Sequence, residues 1–116
     1  MSYFPHQGDI VTITFDPRLG HEQKGRRPGL VISNDEYHKR TKNLALICPI
    51  TNTITGFPMH IKLDDRTNTK GVIMCEQIIS LDYKKRNLVY EEFIPDDVLD
   101  NVIDIICACI EWFNDK

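Results

Sequence analysis

Short apolar runs broken by Gly, Pro, Asn and Asp clusters confine this chain to a mainly β fold. In DIVTITF, Val11, Ile13 and Phe15 alternate with Thr12 and Thr14, the two-residue period of a half-buried strand. GLVIS (29–33) and LALIC (44–48) are continuous apolar runs, the pattern of central strands covered on both faces. MHIKL (59–63) alternates again, with Met59, Ile61 and Leu63 on one face and His60 and Lys62 on the other. Further strands are expected at 72–79 and 88–93.

Two helices interrupt the strands. Ser33-Asn34-Asp35-Glu36 reads as a capping box, with Glu36 three residues after a Ser33 cap. A C-terminal helix is expected after Pro95, where Asp96 and Asp97 complement the positive end of its dipole. Leu99, Ile103, Ile106, Ile110 and Phe113 form one stripe along it, the mark of core or dimer surface. With 116 residues the chain has room for one core, so a single domain over 1–116 is expected. The sum is a small, mostly antiparallel β-barrel closed by a C-terminal helix.

The N-terminal MSYFPHQGD has no basic region followed by an apolar run, and the longest apolar stretch, Ile105 to Ile110, is too short to span a bilayer. A cytoplasmic protein without membrane contact is expected. Cys48 and Cys75 sit in apolar runs, where cysteine behaves as a small hydrophobe. Cys107 and Cys109 are two apart on a helical pattern, so they point to different faces. The chain contains no CxxC or HExxH spacing, and neither a metal nor another cofactor is expected.

The net charge of −3 is an average over two unlike parts. Residues 1–86 carry 13 Lys/Arg against 9 Asp/Glu, whereas residues 87–116 carry 1 against 8. A basic body suits phosphate or an acidic peptide, with plain solvated surface as the alternative.

Two polar segments hold the candidate chemistry. Residues 16–28, DPRLGHEQKGRRP, are long for a hairpin loop, and their two glycines and two prolines shape both ends. Between these lie a histidine, a carboxylate and four cations. Pro28 biases Arg27 toward extended geometry, which sets that arginine on the start of the next strand. The second segment, CPITNTITGFP (48–58), offers hydroxyls and amides able to hold phosphate oxygens, although simple turn chemistry needs no ligand.

GDIVTITFDPRLGHEQKGRRPGLVIS, CPIT, FPMHIKL and GVIMCEQIISLDYKKR are similar, in order and spacing, to the MazF/PemK toxin family over roughly residues 8 to 110. The resemblance implies an SH3-like barrel with a C-terminal helix, working as a homodimer. It implies cleavage of single-stranded messenger RNA at short sequences, without metal, and neutralisation by a cognate antitoxin with an acidic C-terminal segment. By that resemblance the family's catalytic arginine, threonine and glutamate fall on Arg27, Thr51 and Glu22.

These residue types suit attack of the substrate's 2′-hydroxyl on the adjacent phosphate. One proton must be taken, one given, and charge on the phosphorane stabilised. Arg27 offers a planar, permanently charged fork, Glu22 a proton acceptor or an anchor for Arg27, and Thr51 a hydroxyl for the scissile phosphate. His21 is a second candidate for proton transfer. GHEQ resembles the PemK/Kid branch, but Met74 stands where that branch has an arginine and Glu76 where it has an aspartate. His60 matches a histidine of Gram-positive relatives and lies off the core face, as an RNA contact or an ordinary strand residue. Gln23, Arg26, Thr53, Gln77 and Arg86 complete the candidate RNA-binding set.

Two other classes share the fold. One is a CcdB-like poison of DNA gyrase, the other a catalytically silent SH3-like binding module. The set Arg27, Thr51 and Glu22 argues for the nuclease, because neither alternative requires a phosphoryl-transfer site.

Overall fold

Seven strands and two helices alternate along a computed structural model that describes residues 3–16 and 25–112. β1 (Asp9–Thr14) pairs antiparallel with β2 (Arg26–Val31), and β2 with β3 (Leu44–Thr51). On its other edge β3 pairs first with β6 (Ile79–Asp82) and then with β5 (Val72–Met74), which carries β4 (His60–Lys62). β7 (Val89–Phe93) lies along the far edge of β1, with a register shift between Ile10 and Val11. α1 (Asp35–Thr41) joins β2 to β3, and α2 (Asp96–Ile110) follows β7.

The alternation of β1 and the double burial of β2 and β3 are present as expected. Ile10, Leu30, Ile32, Cys48, Ile50, Leu63 and Ile73 face one side of the sheet and form a core with Val98 and Val102 of α2. Val11, Ile13, Phe15, Val31, Ala45 and Ile47 face the other side and close a second core with Leu81 and Tyr83. Burial pushes the Cys48 thiol well above its usual range and the Cys75 thiol up to about 12, so both act as packing groups.

Three expectations are corrected and a fourth is refined. The strand order β4–β5–β3–β2–β1–β7 does not close, because no pairing among the described residues joins β7 to β4. The barrel is instead an open, mostly antiparallel sheet with α2 packed over one face. The helix takes up the apolar surface that a closing pair of strands would otherwise cover. The N-cap of α1 is Asn34, whose side chain accepts from Tyr37 N–H, and not Ser33. Ser33 is buried, and its hydroxyl bonds His38 Nε2 at 2.6 Å and accepts from Leu46 N–H at 2.8 Å. The run 72–79 is not one strand: a 3-10 turn over Cys75–Gln77 divides β5 from β6. On α2 Leu99, Ile103 and Ile106 of the expected stripe pack against the first core, beside the buried Val98 and Val102, while Ile110 is 78% exposed. Phe113 lies outside the described residues.

Candidate active site

The second face of the sheet changes character along its strands. At one end Val31, Ala45 and Ile47 are buried apolar residues. At the other end the same alternation carries Arg27 on β2 and Thr51 on β3. Arg27 pairs with Ile13 of β1. The β2–β3 register runs Val31↔Ile47, Leu30↔Cys48, Gly29↔Pro49. Arg27 and Thr51 each lie two residues beyond the last pair, Gly29 and Pro49, and so fall on the same face as that pair. Thr51 in turn pairs with Val72, and Val72 with Lys62. Directly opposed residues project to the same side of a sheet. Arg27, Thr51 and Lys62 therefore share one face, with His60 two residues further along β4.

Each of these side chains is set by its local sequence. Arg27 is half-buried and held on a strand, as Pro28 requires of its neighbour. Gly29 leaves room for this arrangement, since a Cβ there would meet Ile47 Cγ2 at 2.6 Å and Phe15 Cζ at 3.1 Å. Thr51 is buried, and its Oγ1 accepts from Thr53 N–H at 3.2 Å, which starts the turn out of β3. Thr53 itself is exposed. Arg26 is exposed beside Arg27, with Nη1 3.4 Å from Thr14 Oγ1.

The long loop leaves the sheet through a closed neck. Gly25 N–H donates to Asp16 Oδ1 at 2.8 Å, and Phe15 N–H to the Gly25 carbonyl at 2.9 Å. Arg86 Nη1 donates to the Asp16 carbonyl, and Thr14 N–H donates to the Arg86 carbonyl at 2.9 Å. Arg86, expected to contact RNA, thus has its guanidinium on backbone at this neck. His21, Glu22 and Gln23 lie outside the described residues.

His60 and Gln77 flank the 3-10 turn that follows β5. His60 Nε2 lies 2.9 Å from Glu76 Oε2, with the two side chains 10% and 26% exposed. Phe57 packs edge-on against the imidazole at 5.2 Å between centroids. The other ring nitrogen, Nδ1, is buried with no hydrogen bond among the described residues. Gln77 is half-buried in the same turn. Glu76 was not among the candidates read from the sequence; its signal there was the single carboxylate interrupting the apolar stretch from Val72 to Ile79.

A cavity of about 240 Å³ lies beside Phe4, Pro5, His38 and Tyr83 and shares no lining residue with Arg27, Thr51, Lys62 or His60.

A family model described as the PemK-like, MazF-like toxin of type II toxin–antitoxin systems matches residues 6–110. The chain belongs to this family. Among PemK/MazF relatives, the endoribonuclease toxin MazF of Escherichia coli is 33% identical over 84 residues, covering 72% of this chain and 74% of that protein. A crystal structure of MazF from Deinococcus radiodurans has a TM-score of 0.88 at 34% identity, over 94% of this chain and 98% of that one. A MazE–MazF structure from the same bacterium has a TM-score of 0.80 at 29% identity, over 94% and 97%. The open sheet with its C-terminal helix is thus the PemK/MazF architecture, and Arg27 and Thr51 lie on one face of it.

Proposed function

We propose that this PemK/MazF family member is an endoribonuclease toxin that cuts single-stranded messenger RNA at short sequences, without metal. The observation that carries this reading is that the alternation along β2 and β3 brings Arg27 and Thr51 to the polar end of the same sheet face. A cationic fork and a hydroxyl on one face suit contact with a phosphodiester. The relatives' names, endoribonuclease toxin MazF and endoribonuclease PemK, agree with that chemistry.

The 2′-oxygen forms a bond to phosphorus while the bond from phosphorus to the 5′-oxygen breaks. A 2′,3′-cyclic phosphate and a 5′-hydroxyl remain. One proton leaves the 2′-hydroxyl and one reaches the 5′-oxygen, so the step consumes neither water nor a redox partner. Arg27 neutralises the charge that builds on the non-bridging oxygens, where a positioned cation contributes most. Thr51 donates its hydroxyl to the same phosphate. Glu22 takes the 2′-proton or orients Arg27, and His21 supports proton transfer. Arg26, Gln23, Thr53, His60 and Gln77 form the surrounding RNA-binding surface, and Arg86 holds the Asp16 end of the long loop.

The partner is an antitoxin whose acidic segment covers the basic groove, as MazE accompanies MazF in the Deinococcus radiodurans complex. Two protomers pair through apolar residues exposed at the end of α2 and just beyond it, Ile110 and Trp112 among them. No helix of the described residues is long and apolar enough to cross a membrane, and the cytoplasm, where messenger RNA is found, is the proposed site of action.

Incubation of the purified protein with a long RNA in EDTA tests the reading. Discrete cuts are expected, and a substrate with 2′-deoxyribose on the 5′ side of the cut should resist because its nucleophile is missing. Metal-dependent cutting, or cutting of that deoxy substrate, would overturn it. Gyrase-dependent DNA breaks in a parallel assay would instead support the CcdB-like class.

A further inference from the structure

Asp9 is a buried carboxylate with one oxygen left unused. It stands at the start of β1 and is 1% exposed. Oδ2 accepts from the His6 backbone N–H at 2.9 Å and from the Tyr3 hydroxyl. The Asp9 N–H donates in return to the His6 carbonyl at 3.0 Å, so a local turn accounts for Oδ2. Oδ1 is buried with no hydrogen bond among the described residues. A carboxylate held out of water in this way costs free energy that a nearby cation would offset.

The surroundings of Asp9 bring no such cation and are shaped to take one. Together with Asp9, the residues Tyr3, Phe4, His6, Tyr90 and Phe93 line a cavity of about 400 Å³. None of them is a lysine or arginine, and His6 has its Nδ1 on Asp35 at 2.9 Å. The ring centroids of Tyr3 and Tyr90 are 5.4 Å apart, and those of Tyr90 and Phe93 are 5.8 Å apart. Both Tyr90 and Phe93 are exposed, and the faces of such rings attract cations. Phe4 already has Lys84 Nζ at 6.0 Å from its centroid. The charge of Asp9 is felt at the tyrosines: burial first, and Asp9 after it, hold the Tyr3 and Tyr90 hydroxyls above their usual range. β7 itself carries Glu91 and Glu92. A guanidinium is planar and weakly hydrated and stacks on aromatic faces, whereas an ammonium holds its water more tightly.

We propose that the cavity walled by Asp9, Tyr3, Tyr90 and Phe93 binds a guanidinium group. The cation stacks on the exposed rings and balances the buried carboxylate beneath them. This site is separate from the candidate active site. Asp9 precedes Ile13, the partner of Arg27, by four residues of β1, roughly 13 Å. It therefore does not rest on the endoribonuclease reading.

Titration of the full chain with N-acetyl-arginine amide, followed through the aromatic NMR signals, tests the proposal. Saturable shifts of Tyr3, Tyr90 and Phe93 are expected, and the uncharged citrulline counterpart should produce none. Tyr90→Leu keeps an apolar side chain but removes the ring face, and should weaken binding about fivefold, the scale of one cation–ring contact. Asp9→Asn keeps the shape of the side chain, removes its charge and should abolish saturation. Should thermal melting show that Asp9→Asn does not fold, Tyr90→Leu and Phe93→Leu carry the test, since both are exposed positions. A parallel titration with free L-arginine distinguishes the source of the group. Tighter binding of the blocked form assigns it to an arginine within a protein chain, and tighter binding of the free form to a small metabolite; both support the site. No saturable shift, equal shifts with the citrulline compound, or tighter saturation by spermidine would overturn the proposal. So would an unchanged Kd in the folded variants.

Discussion

Gly71 lies directly against the backbone of Thr51. A Cβ at Gly71 would overlap the Thr51 carbonyl oxygen and stand 2.8 Å from its carbonyl carbon, and Gly71 has a φ of +114°, which L side chains rarely adopt. Gly71→Ala combines strain with a clash and is expected to destabilise by about 2 kcal/mol or more. Because the clash falls on Thr51, RNA cleavage should drop further than the folded fraction does. Parallel melting and cleavage assays check this, and a variant with lowered Tm but full activity per folded molecule would contradict it.

Arg27→Ala and Thr51→Ala remove the two polar groups that β2 and β3 carry on one face of the sheet. Loss of a preorganised charge-stabilising donor lowers kcat by about 10²–10³-fold. Arg27→Ala is expected to fall in that range and Thr51→Ala to be clearly impaired, with the fold retained. Arg27→Lys should also cut poorly, because an ammonium lacks the two-pronged fork. Wild-type rates for Arg27→Ala, measured by single-turnover cleavage, would end the assignment.

Arg86→Ala tests the neck of the long loop. The guanidinium bonds the carbonyl of Asp16 and lies 3.4 Å from that of Thr14, so its loss frees the β1-side stem at Asp16, which in turn holds Gly25. The loop carries Glu22 and His21, and kcat should fall by roughly tenfold, in keeping with the sensitivity of reactions to small misplacements. KM should move less. An effect confined to KM would assign Arg86 to RNA contact instead.

His38 should make stability depend on pH near neutrality. Burial holds its imidazole pKa below the usual value, against the raising effect of Asp35. Ser33 Oγ lies 2.6 Å from Nε2, an arrangement satisfied by a neutral ring accepting from the hydroxyl. With the folded pKa depressed, the unfolded chain binds the proton more readily. Stability is then full above the unfolded value, near pH 6.5, and declines as pH falls below it. Urea midpoints should fall between pH 7.5 and 5.5, about pH values that bracket the ordinary histidine range. His38→Gln should flatten that dependence; an unchanged slope would show that other groups cause it.

Much of this protein is legible without coordinates, because strand identity rests on local patterns. The alternation of Val11, Ile13 and Phe15, and the unbroken runs at 29–33 and 44–48, survive in the structure as β1, β2 and β3. Pro95, Asp96 and Asp97 likewise mark the start of α2 through their own backbone and charge preferences. The ordered motifs around Arg27 and Thr51 carry the family, since each block needs only residue order to be recognised.

What depended on long-range packing was not legible. Ser33 and Asn34 both suit an N-cap, and only the burial of Ser33 against His38 and Leu46 assigns the cap to Asn34. Nothing local divides 72–79 into two strands; β3 does so, by pairing with β5 along one half of its edge and β6 along the other. Whether the sheet closes depends on how α2 competes for its apolar face, a comparison that no single segment contains. The same holds for the site. Sequence order names Arg27 and Thr51, but it is the pairing of β2 with β3 that brings them to the same end of one face, and the pairing of β4 with β5 that brings His60 to Glu76. Residue type and spacing are local properties of the chain, whereas opposition across strands exists only once non-local hydrogen bonds have fixed the register.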